Sequence, residues 1–429
     1  MIINFSFQNF GSIKEKQTLS FEATKSKHLE EHFVVQVGKF RLLKMALLYG
    51  ANASGKTTVL QALFFLQHMI LYPEDTKTEK IAFNPFLFDT ETPHQNTVFS
   101  IDFIQSEIRY SYEVAFNENY IAHESLYVFN PNKALVYTRT TDAEKELAII
   151  KFGDKFKKNH DILATNTLWN NTVLGGFLKT NIEFKELKVV TEWFEKYLQE
   201  LVNTNTRLES YATNRIKNSI TQQKIVTNIL QKADFNISNI LLEEREKEKS
   251  NIGTVIGNIL KNIFSKKIDY PMKMIGKLEH ISVKFEHTVD DQKYELPFDS
   301  ESEGTQRYYG FAGLLALLIS DSIILPIDEL ESSLHPDLYV HFLLSFLMNA
   351  KQSQLIATTH NREILGDRDL FRPDAIWFTD KSDGCATKLY SLADFDSATV
   401  RDTTNVLNAY KIGKLGGAPR LADYYIDHE

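Results

Sequence analysis

Cysteine is almost absent: Cys385 stands alone among 429 residues, so no disulfide can close within the chain. With 10 prolines, 18 glycines and no low-complexity or collagen-like stretch, the composition argues against long disordered tracts. No uninterrupted apolar run approaches the ~20 residues that cross a bilayer. The longest core-like stretch is Phe311–Ile319. The opening MIINFSFQNF lacks the charged-then-apolar pattern of a secretory signal. A soluble, cytoplasmic protein with no membrane association is therefore expected. A surplus of positive charge is missing too. The net charge of −8 excludes a chain that coats nucleic acid over its whole surface, although a local basic patch would survive that average.

What is present is apolar and aromatic. Hydrophobic residues make up 43% of the chain and include 30 Phe and 18 Tyr, enough to fill real cores in two or three domains. The chain is organised around Leu43–Thr58, an apolar run that breaks into a glycine-bracketed loop and then into an amphipathic segment. Gly50-Ala51-Asn52-Ala53-Ser54-Gly55-Lys56-Thr57 matches the phosphate-binding pattern G-x-x-x-x-G-K-S/T. The residue types follow from the chemistry. Glycines let backbone N–H groups turn inward around phosphates, and the helix that follows offers its positive N-terminus to the same charge. Lys56 would reach the β- and γ-phosphates, and the Thr57 hydroxyl would ligate Mg²⁺. Ala46–Tyr49 suits a buried parallel strand before the loop. Val59, Leu60, Leu63, Phe64 and Leu66 give the segment after it an apolar face at helical spacing.

In chain order, Ile2–Phe7 and Gln17–Phe21 read as a hairpin around the turn Asn9–Ser12. Beyond the first helix, Val98–Ile104, Arg109–Phe116 and Ile121–Phe129 read as an antiparallel meander. From about Asp161 to Lys267 the pattern turns helical, as in Phe184–Leu201 and Ser219–Ala233, and is too short for sustained coiled-coil arms. A compact helical insertion is expected, between an N-terminal lobe over residues 1–160 and a C-terminal lobe over 268–429. The charged run Glu243–Lys249 reads as a solvated face. Basic clusters at Lys155–Lys158 and Lys261–Lys267 are candidate contacts for nucleic acid or a partner. Strands return at Ile281–Phe285 and Tyr294–Leu296. A polar run through Ser302-Glu303-Gly304 then opens the apolar helix Tyr308–Ile319, another N-terminus able to receive an anion.

Two buried strands close the inventory. Ser322–Ile327 ends in Asp328-Glu329, and Gln354–Thr359 ends in His360, so both place polar groups at a strand's C-terminal edge, where ligands bind in open parallel sheets. Asp328 is the expected second support for a metal bound by Thr57. Glu329 is the expected base for an attacking water, and a neutral His360 could sense the γ-phosphate.

The order of phosphate loop, Ser302–Gln306, Asp328-Glu329, Ser332–Pro336 and His360 resembles the head of an ABC-type ATPase of the SMC and RecF kind. More narrowly, the loop, Glu301–Thr305, Ile327–Pro336 and the tail Tyr410–Pro419 resemble the bacterial anti-phage ATPases of the RloA, AbiL and PARIS AriA type. The resemblance covers roughly residues 1 to 130 and 270 to 420. It implies an α/β fold: an ATPase head with a mixed sheet, an antiparallel β subdomain and a helical insertion. It also implies ATP and Mg²⁺, with Gly50, Asn52, Ala53, Ser54, Gly55, Lys56, Thr57 and Thr58 around the nucleotide. By position, Thr57 and Asp328 hold the metal, Glu329 is the catalytic base and His360 the switch histidine. Ser302 and Gly304 correspond to the signature motif that caps ATP held by a partner head, so a head-to-head dimer or larger assembly is implied. Two departures stand out. Glu303 and Thr305 replace residues of the common LSGGQ form, and Gly11 stands where relatives place an arginine.

The function implied is an ATP-dependent sensor in an abortive-infection-like defence system, controlling an operon-encoded effector, a nuclease, supplied in trans. The other reading is a RecF-like or SMC-like repair ATPase acting on DNA directly. A nuclease domain within this chain is not expected, since only about 70 residues follow His360.

Overall fold

A computed structural model of the chain describes residues 1–156, 161–244, 281–332, 334–381, 384–395 and 406–419. Tertiary contacts divide it into two compact units. The first comprises Met1–Thr204, Asp321–Ser332 and Leu347–Glu429; the second comprises Asn205–Ser320 and Ser333–Phe346.

The first unit holds two principal sheets. A seven-stranded antiparallel sheet runs, in spatial order, Leu147–Phe152, Lys133–Asp142, Ile121–Phe129, Ile108–Phe116, Thr97–Gln105, Ile2–Gln8 and Gln17–Ser20. The expected hairpin and three-strand meander make up most of it. Period-two alternation sends Phe99, Ile101 and Phe103 to the core opposite Val114, Tyr112 and Tyr110. The strands Lys133–Asp142 and Leu147–Phe152 go beyond the expected meander; the first is rich in Thr and carries Arg139, which reads as surface. Burial becomes tolerable through a polar network. Tyr112 and Tyr137 donate to Glu124 Oε1 at 3.0 and 2.6 Å, and the Val173 amide donates to its Oε2 at 2.8 Å. The buried Arg139 donates to the carbonyls of Ile121 and Trp169. Burial lowers the Arg139 guanidinium to about 10 and pushes the Glu124 carboxyl up.

The second sheet is five-stranded, in the order Ile324–Ile327, Gln354–Thr358, Met45–Gly50, Ile376–Lys381 and Thr387–Ser391, with only the last pair antiparallel. Met45–Gly50 is buried at every position, as its unbroken apolar sequence requires. Residues 198–202 extend this sheet: the Gln199 and Val202 amides donate to Ile324 and Pro326 carbonyls at 2.9 and 3.0 Å.

The span expected as one helical insertion is divided. Its first part packs Leu163, Leu174, Leu187, Val190 and Trp193 into the core of the first unit, where Trp193 stacks on Phe103 at 4.0 Å between centroids. The helix read over Phe184–Leu201 ends with the wide turn Trp193–Tyr197, before the chain joins the sheet. The remainder lies in the second unit as the helices Leu208–Lys217 and Ile220–Lys232. The strand Ile237–Glu244 follows where helix was expected; it pairs with Ile281–Val289, which pairs in turn with Gln292–Pro297. The charged run past Glu244, the cluster Lys261–Lys267, residues 157 and 158 of the cluster Lys155–Lys158, and Ser333 lie outside the described residues.

One buried ion pair ties the N-terminal loop to the parallel sheet. Arg372 forks onto Asp374 at 3.0 and 2.7 Å and donates to the carbonyls of Ser26 and His28, while Asp374 accepts from the Thr24 amide and hydroxyl, both at 2.8 Å. Arg372→Ala would leave that carboxylate buried without its counter-charge. A loss of ~3–5 kcal/mol is expected, read from urea unfolding midpoints; a change below ~1 kcal/mol would refute the assignment.

Candidate functional site

The loop between Met45–Gly50 and the helix Lys56–Leu71 is held from outside by hydroxyls. The buried Ser54 hydroxyl meets that of Thr379 at 2.6 Å, and Thr387 donates to the Ser54 carbonyl at 2.9 Å. The Thr387 hydroxyl also lies 2.8 Å from Ser12 Oγ, and Ser12 lies 3.2 Å from the Thr58 hydroxyl. These approaches require the two bracketing glycines. A Cβ on Gly50 would fall 2.3 Å from Thr379 Oγ1, and one on Gly55, at φ +102°, would fall 2.2 Å from Thr387 Oγ1. Asn52 and Ala53 are exposed at the loop's tip, with Ala53 at φ +60°.

The turn Asn9–Ser12 abuts the loop and the helix that follows it. Gly11 has φ +56°, and a Cβ there would fall 2.8 Å from Thr58 Cγ2, so the turn closes on the loop without a side chain.

The polar ends of the two buried strands meet this loop. Thr57 Oγ1 donates to Asp328, lying 3.1 and 3.0 Å from its two carboxylate oxygens. Thr358 Oγ1 donates to Asp328 Oδ1 at 2.5 Å and accepts from the Glu329 amide at 2.7 Å. Glu329 is exposed at φ +50°, a left-handed conformation unusual for a side-chain-bearing residue and one of the marks of a functional site. The His360 amide donates to Glu331 Oε1 at 2.5 Å. Desolvation, then the nearby Lys56 charge, lowers the pKa of the solvent-exposed His360 imidazole against opposing pulls from Glu331 and Glu329.

Lys56 is buried, and its ammonium donates to the carbonyls of Gly50 and Ala51 at 3.0 and 3.1 Å. Desolvation lowers its pKa, while Asp328, Glu329 and Glu331 raise it. This arrangement fits a nucleotide with a divalent cation. The lysine is a shielded cation at the start of a helix, and Thr57 with Asp328 supplies a hydroxyl and a carboxylate. Among the described residues, no three or more His, Cys, Asp or Glu side chains cluster to hold a metal alone. Phosphate and water oxygens would complete such a shell, as magnesium prefers.

Ser302 and Gly304 lie in the second unit. Ser302 is exposed and its hydroxyl accepts the Thr305 amide at 3.1 Å, capping the helix Glu303–Ser320. Gly304 is half-buried, and a Cβ added there would make an ordinary van der Waals contact with Ser302 Oγ at 3.8 Å, with no clash among the described residues.

Sequence reasoning brought Lys56, Thr57, Asp328, Glu329 and His360 to one place. It assigned no role to Ser12, Thr358, Thr379, Thr387 or Glu331. Their only signal is small: hydroxyl residues at turns and strand ends, and a second acid two residues past the pair.

The family described as "AAA domain, putative AbiEii toxin, Type IV TA system" matches residues 45–170 and 183–366. No curated protein matches the chain. Among solved structures, the chain is similar to an SMC head bound to the C-terminal winged-helix domain of ScpA, at 13% identity, 91% and 97% coverage of the two chains and a TM-score of 0.42. It is also similar to the SMC head domain from Thermotoga maritima, at 11% identity, 91% and 98% coverage and a TM-score of 0.41. A Pyrococcus furiosus Smc head with an extended coiled coil, bound to the ScpA C-terminal domain, gives 12% identity, 96% and 98% coverage and a TM-score of 0.41. Among the described residues, no helix is long and apolar enough to cross a membrane.

Proposed function

The chain belongs to this AAA-domain family, and from that premise we propose that it binds ATP with Mg²⁺ and hydrolyses it to ADP and phosphate, as the sensor or scaffold of an abortive-infection-like anti-phage system. The observation that carries the ATPase reading is the Thr57–Asp328 contact at 3.0 Å, which joins a phosphate loop to an acidic strand end beside a buried lysine.

Each residue then has a physical task. The phosphate loop Gly50–Thr57, the N-terminus of the helix after it and the Lys56 ammonium bind the phosphates. Thr57 and Asp328 hold the magnesium, which when bound supplies charge neutralisation on the phosphate oxygens. The Glu329 carboxylate accepts the proton of the attacking water, unencumbered because it is exposed and makes no hydrogen bond among the described residues. A neutral His360 offers a hydrogen bond near the terminal phosphate. Ser302 and Gly304, at a helix start, cap the nucleotide of a partner head.

The finer reading, in the RloA, AbiL and PARIS AriA manner, is that nucleotide state governs an effector nuclease encoded beside this chain. Support comes from the family, whose description names a toxin–antitoxin system. The test is co-expression with the operon neighbour and purification through a tag on this chain, with and without ATP. Co-purification that depends on nucleotide is expected. No captured neighbour in either state, together with salt-dependent DNA binding by the ATPase alone, would favour the repair-type alternative.

A further inference from the structure

The turn that carries Glu329 is tied to its neighbouring strand by more than the sheet ladder. The Glu329 amide donates to Thr358 Oγ1 at 2.7 Å, and the Leu330 amide to the Thr358 carbonyl at 3.1 Å. The Ser332 amide closes back on the Glu329 carbonyl at 2.8 Å. These bonds hold a residue at φ +50°, where backbone strain is otherwise released. Two residues on, half-buried Glu331 reaches across to the next strand's end and accepts the His360 amide on Oε1 at 2.5 Å. Its other oxygen is shielded from water and has no hydrogen-bond partner among the described residues. A carboxylate on a surface turn would ordinarily be hydrated. One that is half-buried, committed to a backbone N–H and left with a shielded free oxygen is held for its reach.

We infer that Glu331 is a positioning residue for hydrolysis: its carboxylate straps the turn bearing the base Glu329 to the chain at His360, so that the two hold one geometry around the terminal phosphate. This rests on the ATPase reading above. The strap acts on the attack step and makes no hydrogen bond to the phosphate loop, and Glu331→Asp keeps the charge that Lys56 feels, so that variant should separate turnover from binding.

The test uses two near-isosteric variants of the full chain. Glu331→Gln keeps the reach and an acceptor oxygen but loses the charge. Glu331→Asp keeps the charge but is one methylene short. Hydrogen exchange of the backbone amides over residues 358–362 reads the strap without any catalysis. Expected is exchange at the His360 amide faster by ~10-fold or more in Glu331→Asp and near wild type in Glu331→Gln. In parallel, Glu331→Asp should lose kcat by ~10–100-fold, with nucleotide Kd within about threefold of wild type, while Glu331→Gln keeps kcat within about threefold. The inference is overturned if exchange is the same in both variants, if Glu331→Gln is the more damaged, or if kcat and nucleotide affinity fall together. Wild-type turnover no greater than that of Lys56→Ala would instead refute the ATPase reading, and the exchange measurement would still decide the strap.

Discussion

Glu329→Gln is expected to bind ATP with wild-type affinity and to hydrolyse it ~10²–10⁴-fold more slowly, the range a positioned general base contributes. The substitution is nearly isosteric at an exposed side chain with no hydrogen bond among the described residues, so unfolding stability should stay within ~0.5 kcal/mol of wild type. The contacts that fix the backbone run through its amide and carbonyl and survive the change. Lys56→Ala is the matching control. It removes the shielded ammonium from the loop, and binding itself should be lost. Binding is read with a fluorescent nucleotide and turnover by phosphate release. Glu329→Gln turning over at the wild-type rate would displace the base assignment, most directly toward His360.

How much of this is legible in the sequence depends on where each signal is stored. The phosphate loop is local: glycine spacing, a lysine and a hydroxyl residue in eight consecutive positions describe it, and the structure adds only what presses on it. Asp328-Glu329 and His360 are readable because each ends an apolar run, a pattern that puts polar groups at the edge of a parallel sheet. Thr379 and Thr387 are not, because their partner Ser54 is over 300 positions away and the contact exists only once Ile376–Lys381 pairs with Met45–Gly50. The sheet strand Lys133–Asp142 is hidden for a different reason. Arg139 and its threonines read as surface, and Glu124 with the carbonyls of Ile121 and Trp169 makes the burial of that arginine tolerable. The helical span misleads through periodicity. A three- and four-residue apolar spacing shows that a helix has a buried face, but not which core receives it, so Leu187 and Trp193 could not be assigned to the first unit from sequence.

A mixture of two inactive chains should regain activity. Lys56→Ala cannot bind nucleotide in its own loop but keeps Ser302 and Gly304. Gly304→Arg keeps the loop but places a bulky cation at the helix start proposed to cap a partner's nucleotide. Gly304 suits this role because a side chain's first carbon there meets no atom nearer than 3.8 Å, and replacing a helical glycine removes a destabilising residue. The variant should therefore fold at least as well as wild type, with the Ser302 cap on Thr305 intact. If each site is built from one chain's loop and the other chain's helix start, a mixed dimer holds one complete site, made from the loop of Gly304→Arg and the cap of Lys56→Ala. Random pairing at equal amounts puts half the dimers in the mixed form, so activity near a quarter of wild type is the expected ceiling when sites act independently. Each variant alone should be nearly inactive. Hydrolysis by Gly304→Arg alone at the wild-type rate would show that one chain suffices. No recovery at any mixing ratio, with both variants folded and Gly304→Arg still binding nucleotide, would rule out a shared site.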